Sequence, residues 1–157
     1  MIPALALALL VVMLGAALVI DRLWLDMAYA ELQRAAEASA LAAGHELASD
    51  DLLREEPNTS ARLMKARLAA ARIAAENRVA GGSLLINTDD DGDVRFGQLV
   101  EVTGQTVFLE DEVDPTSVVV NAQRTSRRKS AIWLAMQSLM GPNSADVVAS
   151  AEATLDN

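Results

Sequence analysis

The sequence predicts an α+β protein: a long N-terminal transmembrane and extended helix, then a second helix and a small antiparallel β-sheet. Three observations carry the prediction. Residues 1–20 contain no charged side chain. From Asp21 to Gly82 apolar residues recur at three- and four-residue steps, the period of a helix with one buried face. Beyond Gly82 the period falls to two and β-branched runs appear, as strands require.

The chain has 157 residues, enough for one modest domain and an anchor. It has no cysteine, which excludes disulfides, thiolate metal sites and a cysteine nucleophile. A net charge of -9 and a pI near 4.5 argue against a general nucleic-acid binder, because phosphate neutralisation needs Lys and Arg clustered over a face. Aromatic residues make up only 3%, too few for a base-stacking platform.

The first element is "MIPALALALLVVMLGAALVI", residues 1–20. At a rise of about 1.5 Å per residue it makes a helix of about 30 Å, the thickness of a bilayer's hydrocarbon core. Eleven of these residues are Leu, Ile or Val. At about -0.3 to -0.6 kcal/mol each near the centre, they favour insertion by about -3 to -7 kcal/mol. A cleaved secretory signal would need a basic leader and a small-residue cut site. Gly15 and Ala17 offer the second, but no Lys or Arg precedes Arg22 and the apolar run continues to Ile20. A buried core helix would need a larger domain around it. The expectation is a retained anchor with the bulk of the chain outside the cytoplasm, although Asp21 and Arg22 offset each other and give orientation little basis.

Residues 21–44, "DRLWLDMAYAELQRAAEASALAAG", lack proline and are rich in Ala, Leu, Glu, Gln and Arg, so the helix is expected to continue to Gly44. Leu25, Ala28, Leu32, Ala35, Ser39 and Ala43 form a small-residue stripe, open either to a neighbouring helix or to the chain's own domain. Trp24 and Tyr29 follow the apolar run at the height where amphipathic rings favour headgroups. Residues 45–157 then make the extracytoplasmic α+β domain. Its helix follows Pro57-Asn58-Thr59-Ser60 and is expected to end at Gly81-Gly82. Strands are expected in "SLLIN", "VRFGQLVEV", "QTVFLE", "SVVVNAQRT" and "ADVVASAEATL". The block holding Ile132, Trp133, Leu134, Met136, Leu139 and Met140 reads as a short helix across the sheet, with a partner-facing patch as the other reading.

Three stretches raise chemistry. "HELAS" begins like a zinc-protease helix, but its fifth position is Ser49 and His45 is the only histidine, so His45 and Glu46 have no second imidazole with which to grip zinc. In "NTDDDGD", Asn87, Asp89, Asp91 and Gly92 match positions one, three, five and six of a calcium loop. Position twelve is Gln98 instead of a bidentate Glu, and strands flank it. A turn is the favoured reading, and calcium the other. In "RTSRRKS", Arg124, Arg127, Arg128 and Lys129 suggest contact with anionic headgroups or an acidic subunit, or a solvated loop, which is favoured.

The run from Asp21 through Glu31, Leu32, Gln33, Ala35, Ala36, Ala38, Ala40, Leu41, Ala42 and Ala43 resembles the N-terminal pattern of the TadE/TadG-like Flp pilus-assembly proteins, with Arg34 and Glu37 replacing that pattern's Asn and Asp. "DGDVRFGQL", "SVVVNAQRT" and "GPNSADVVASAEATL" are similar to later segments of the family. The resemblance implies an inner-membrane helix and a periplasmic α+β domain acting in the Tad secretion and pilus machinery. The family's pilins carry a Gly before the mature apolar segment and a Glu at its fifth residue; this chain has Leu5 and no such pair, so prepilin processing is not expected. The apolar start at Met1 suggests a missing basic leader and a misplaced start codon. Longer members add a von Willebrand-type domain that this sequence does not reach.

The functional expectation is a noncatalytic, single-pass structural or accessory protein of pilus assembly. It would act through helix packing and protein contacts with the bilayer and with other pilus-assembly or pilin subunits, possible as an oligomer, and without nucleic acid. The alternative is a membrane-tethered extracytoplasmic binding or sensor module. No catalytic, cofactor-binding or metal residue is assigned and no cofactor is expected, since none of the carboxylates has a spacing that sets it apart from a solvated face.

Overall fold

The structure is a computed structural model that describes residues 2–48, 58–134 and 143–155. Helix α1 runs without a break from Ile2 to Leu47. It passes through Gly44, where a stop was expected. Gly44 is buried, and a Cβ there would lie 3.3 Å from the Ala153 Cβ, so its lack of a side chain serves close packing instead of termination. Helix α2, Thr59–Glu76, begins at the N-cap Asn58, whose side chain accepts the Ala61 N–H at 3.0 Å.

α2 stops five residues before the glycine pair that was expected to cap it. Asn77 leaves the helix with extended backbone while its side-chain amide donates to Ile73 O at 2.7 Å. Arg78–Val79 (β1) then pairs antiparallel with Gly82–Ser83 (β2) through a turn in which Ala80 and Gly81 both have positive φ. Gly81 therefore serves a hairpin. "SLLIN" contributes only Ser83 to a strand, and residues 84–88 run on without ladder pairing.

The main sheet has β3 (Val94–Val102), β4 (Gln105–Glu110), β5 (Ser117–Arg124) and β8 (Val147–Thr154) in the order β4-β3-β5-β8, all antiparallel. β3 and β4 join through Thr103-Gly104, again with both φ positive. Ile132–Trp133 (β6) pairs with Ser144–Ala145 (β7) between β5 and β8. For Ile132–Leu134 this corrects the helix expected of the block: Ile132 and Leu134 are buried and Trp133 between them is exposed, a period of two. Met136, Leu139 and Met140 lie outside the described residues, as do Ser49 and the acidic stretch preceding Asn58.

The core lies between α1, α2 and one sheet face. Ala28, Leu32, Ala35 and Ala36 cluster with Ala74, Val79, Leu84 and Ala122. Ala40, Ala43 and Leu47 cluster with Leu63, Ala66, Ala70, Val94, Phe96, Val118 and Val120. Residues 28–36 of α1 therefore meet the end of α2, and residues 40–47 meet its beginning, so the helices run antiparallel. Alanine on both helices lets the backbones approach closely, and the small-residue stripe of α1 is filled by the chain's own second helix and sheet.

Candidate functional site

The basic segment links two places: Arg128 pairs with the acidic loop at Asp93, and Arg124 borders the cleft that Ile20, Asp21 and Trp24 of α1 form with Ala80 and β6. Asp93 is the hub of the loop. It is 4% exposed; its carboxylate accepts from both Arg128 guanidinium nitrogens at 2.5 and 2.7 Å, from the Asn87 N–H at 2.8 Å and from the Gln123 amide at 3.2 Å. The bidentate fork suits a planar guanidinium, and the remaining lone pairs are met by neutral donors. The hydrogen bond to Asp93 raises the Arg128 pKa above its ordinary value, partly opposed by burial, so this cation holds its proton.

Local sequence explains why the loop closes. Asn87 accepts the Asp89 N–H through its side chain at 3.1 Å, an Asx turn, while its carbonyl receives the Asp93 N–H at 2.9 Å and Asp89 O receives Gly92 N–H at 2.8 Å. A Cβ at Gly92 would come within 2.5 Å of Asn87 O and 2.7 Å of Asp89 O, both backbone atoms, so only glycine fits. The loop leads into β3 from an unpaired segment instead of joining two paired strands. Of the residues matched to a calcium loop, Asn87 is used within the turn and Asp89 and Asp91 point to solvent. Gln98 sits on β3 and donates to Asp111 at 3.2 Å and to Asp114 O at 2.8 Å. Among the described residues no three His, Cys, Asp or Glu side chains converge as metal ligands would.

The basic segment splits into inward and outward halves. Arg124 donates to Ser130 O at 2.8 Å, to Gly82 O at 3.3 Å and to Val79 O, tying the β1–β2 hairpin to the end of β5. Ser126–Arg128 form one 3-10 turn that ends at Lys129 in left-handed conformation, and Asp146 accepts from the Ser126 N–H and hydroxyl at 2.7 and 2.8 Å. Arg127 and Lys129 are exposed. Neither a wholly solvated loop nor a uniform basic patch describes the segment.

Arg67 shows a functionless-looking charge with an interior role. It lies on α2 yet is buried, its guanidinium lies 5.1 Å from the centre of the Phe96 ring, and it pairs with Asp90 at 2.9 Å and Glu112 at 2.5 Å. Its partners are far along the chain on other loops, so no local sequence pattern marks it. His45 is exposed in the last turn of α1, and Glu46 beside it is half-buried.

The remaining surface feature is the apolar half of α1. From Pro3 to Ile20 only Leu14 and Ala17 are shielded by the rest of the chain. The helix is long and apolar enough to cross a membrane, which is compatible with one span or with a signal anchor. Where it enters the domain, Ile20, Asp21 and Trp24 border an open cleft of about 500 Å³ together with Ala80, Arg124, Ala131, Ile132 and Trp133. Asp21 is buried there and Trp133 is 63% exposed. About two turns beyond Trp24, Glu31 accepts the Ala80 N–H at 2.8 Å and locks the β1–β2 hairpin to the helix.

These features define an α+β protein built on one long N-terminal helix, with a four-stranded antiparallel sheet packed against that helix and a second one. In comparisons with protein-family models, curated proteins and solved structures, none matches this chain.

Proposed function

We propose that the chain is a single-span inner-membrane protein whose domain lies outside the cytoplasm and acts as a noncatalytic structural or accessory subunit in assembly of a Flp (Tad) pilus. The observation that carries the reading is the continuity of α1: the exposed apolar segment and the central helix of the domain are one helix. A domain joined in this way is held at a fixed height and angle above the bilayer, which suits a subunit that must meet others in register. The residues that resemble the TadE/TadG-like pattern have structural uses consistent with it. Leu32, Ala35, Ala36, Ala40 and Ala43 are buried in the core, and Glu31 receives the hairpin N–H. Since the stripe on residues 25–43 is filled internally, contacts with other subunits through helix packing fall to residues 3–20.

Two experiments test the reading. Alkaline carbonate should leave the full-length protein in the membrane pellet, and deletion of its gene should abolish surface filaments and adherence. Release of intact protein by carbonate refutes the anchor, and unchanged filaments refute the pilus role. A second reading, a membrane-tethered binding or sensor module, draws on the open cleft of about 520 Å³ beside Arg67, Asp90 and Glu112. It stands second because both carboxylates already pair with Arg67. Ligand-dependent thermal stabilisation of the full-length protein would favour it.

A further inference from the structure

We propose that strand β6 is a second membrane contact, with Trp133 seated in the headgroup layer of the same bilayer that α1 spans. The inference rests on the anchor reading above and extends it from a single helix to the underside of the domain.

Height is the first argument. Residues 3–20 make about 27 Å of helix, close to the hydrocarbon thickness of a bilayer, so the boundary falls near Asp21, the first charged residue. Trp24 stands about 6 Å beyond Ile20, within the headgroup layer of about 5–8 Å on each side. Trp133 borders the same cleft as Ile20, Asp21 and Trp24, so the fold places it at the level of that layer and not at the distal end of the domain.

Chemistry is the second. A lone exposed apolar residue needs no explanation, but Trp133 at 63% exposure shares the rim of one open cleft with Ile20 at 62% and Trp24 at 37%, all three exposed to solvent. Its neighbours Ile132 and Leu134 are buried and β6 is paired to β7, so the ring is presented outward by a fixed strand and not by a frayed end. Indole favours the membrane interface because it combines an apolar body with one N–H donor. Arg127 and Lys129, exposed in the turn that leads directly into β6, add positive charge suited to anionic headgroups in a protein of net charge -9. Asp21, the acid at the same level, is buried against the domain and so kept from the lipid.

The test uses full-length protein in vesicles of phosphatidylethanolamine and phosphatidylglycerol, with Trp24→Phe leaving Trp133 as the sole tryptophan and Trp133→Phe leaving Trp24. Lipids brominated near the headgroup end of the acyl chain should reduce Trp133 emission by about half, as expected for an indole at the interface, and iodide should quench it weakly. Bromolipid quenching of Trp24 alone, with Trp133 open to iodide, overturns the inference while the span stands. Protection of Trp133 from both quenchers also overturns it, since protein then covers the ring. If neither tryptophan responds to bromolipid, the anchor reading fails together with this one.

Discussion

Replacing Arg128 by Met should unfold the domain at markedly lower denaturant, because it leaves the Asp93 carboxylate buried without its cation. Removing one member of a buried ion pair costs about 3–5 kcal/mol. The Arg128 side chain is 31% exposed, so solvent already screens part of the interaction, and about 2–3 kcal/mol is the better expectation. Asp93 keeps the Asn87 N–H and the Gln123 amide, which also limits the loss. Asp93→Asn should cost somewhat less, about 1–3 kcal/mol, since the freed Arg128 can turn to water while Asn87 N–H loses its charged acceptor. The informative quantity is the double-mutant cycle: the two changes together should cost less than their sum by about 1–2 kcal/mol. Urea unfolding of the detergent-solubilised full-length protein, followed by far-ultraviolet circular dichroism, measures all three variants. Additive costs would refute the reasoning, for they would mean that the fork between Arg128 and Asp93 contributes nothing beyond its separate ends.

Three further outcomes follow from the geometry. Gly97→Ala places a Cβ about 2.1 Å from Leu109 O across the β3–β4 ladder, backbone that cannot yield locally, so the same unfolding assay should show a loss of about 2–4 kcal/mol. Ala36→Leu, at a fully buried contact of α1, should destabilise by about 1–3 kcal/mol through overpacking, whereas Leu41→Ala on the exposed face should change stability by less than about 0.5 kcal/mol. Calcium at millimolar concentration should leave the midpoint of thermal unfolding unchanged within about 1 °C, because the Asn87 side-chain oxygen is already engaged by the Asp89 N–H, Gln98 supplies no second carboxylate, and no three acidic side chains converge among the described residues; a rise of several degrees would contradict this.

Much of the fold is legible in the sequence because its signals are local. The strands Val94–Val102 and Gln105–Glu110 fall on the runs that alternation picks out, and Asn58 caps α2 where the turn residues suggest a start. Where the reading failed, tertiary contacts decide. Gly44 looks like a helix stop but is a point of contact with β8, and Gly81-Gly82 looks like a helix cap but turns a hairpin held by Glu31, a residue on the other helix. Ile132–Trp133 reads as part of a helical block because the apolar residues around it hide the alternation that two paired strands impose. The site behaves in the same way. The tight Asp-Gly turn is visible in "DDDGD", whereas its pairing with Arg128 joins residues on separate elements, and nothing local distinguishes Arg128 from Arg127.

α1 has no hinge between its apolar half and the part that bears the domain, so it behaves as a shaft. One residue inserted between Ile20 and Trp24 would advance the domain by about 1.5 Å and swing its azimuth by about 100° relative to the apolar half, whereas four residues would bring it back to within about 40° of the original heading about 6 Å further along. Neighbours that contact both halves at once would therefore detect helical phase, and the length of this short stretch is as much a specification of the molecule as any side chain in it.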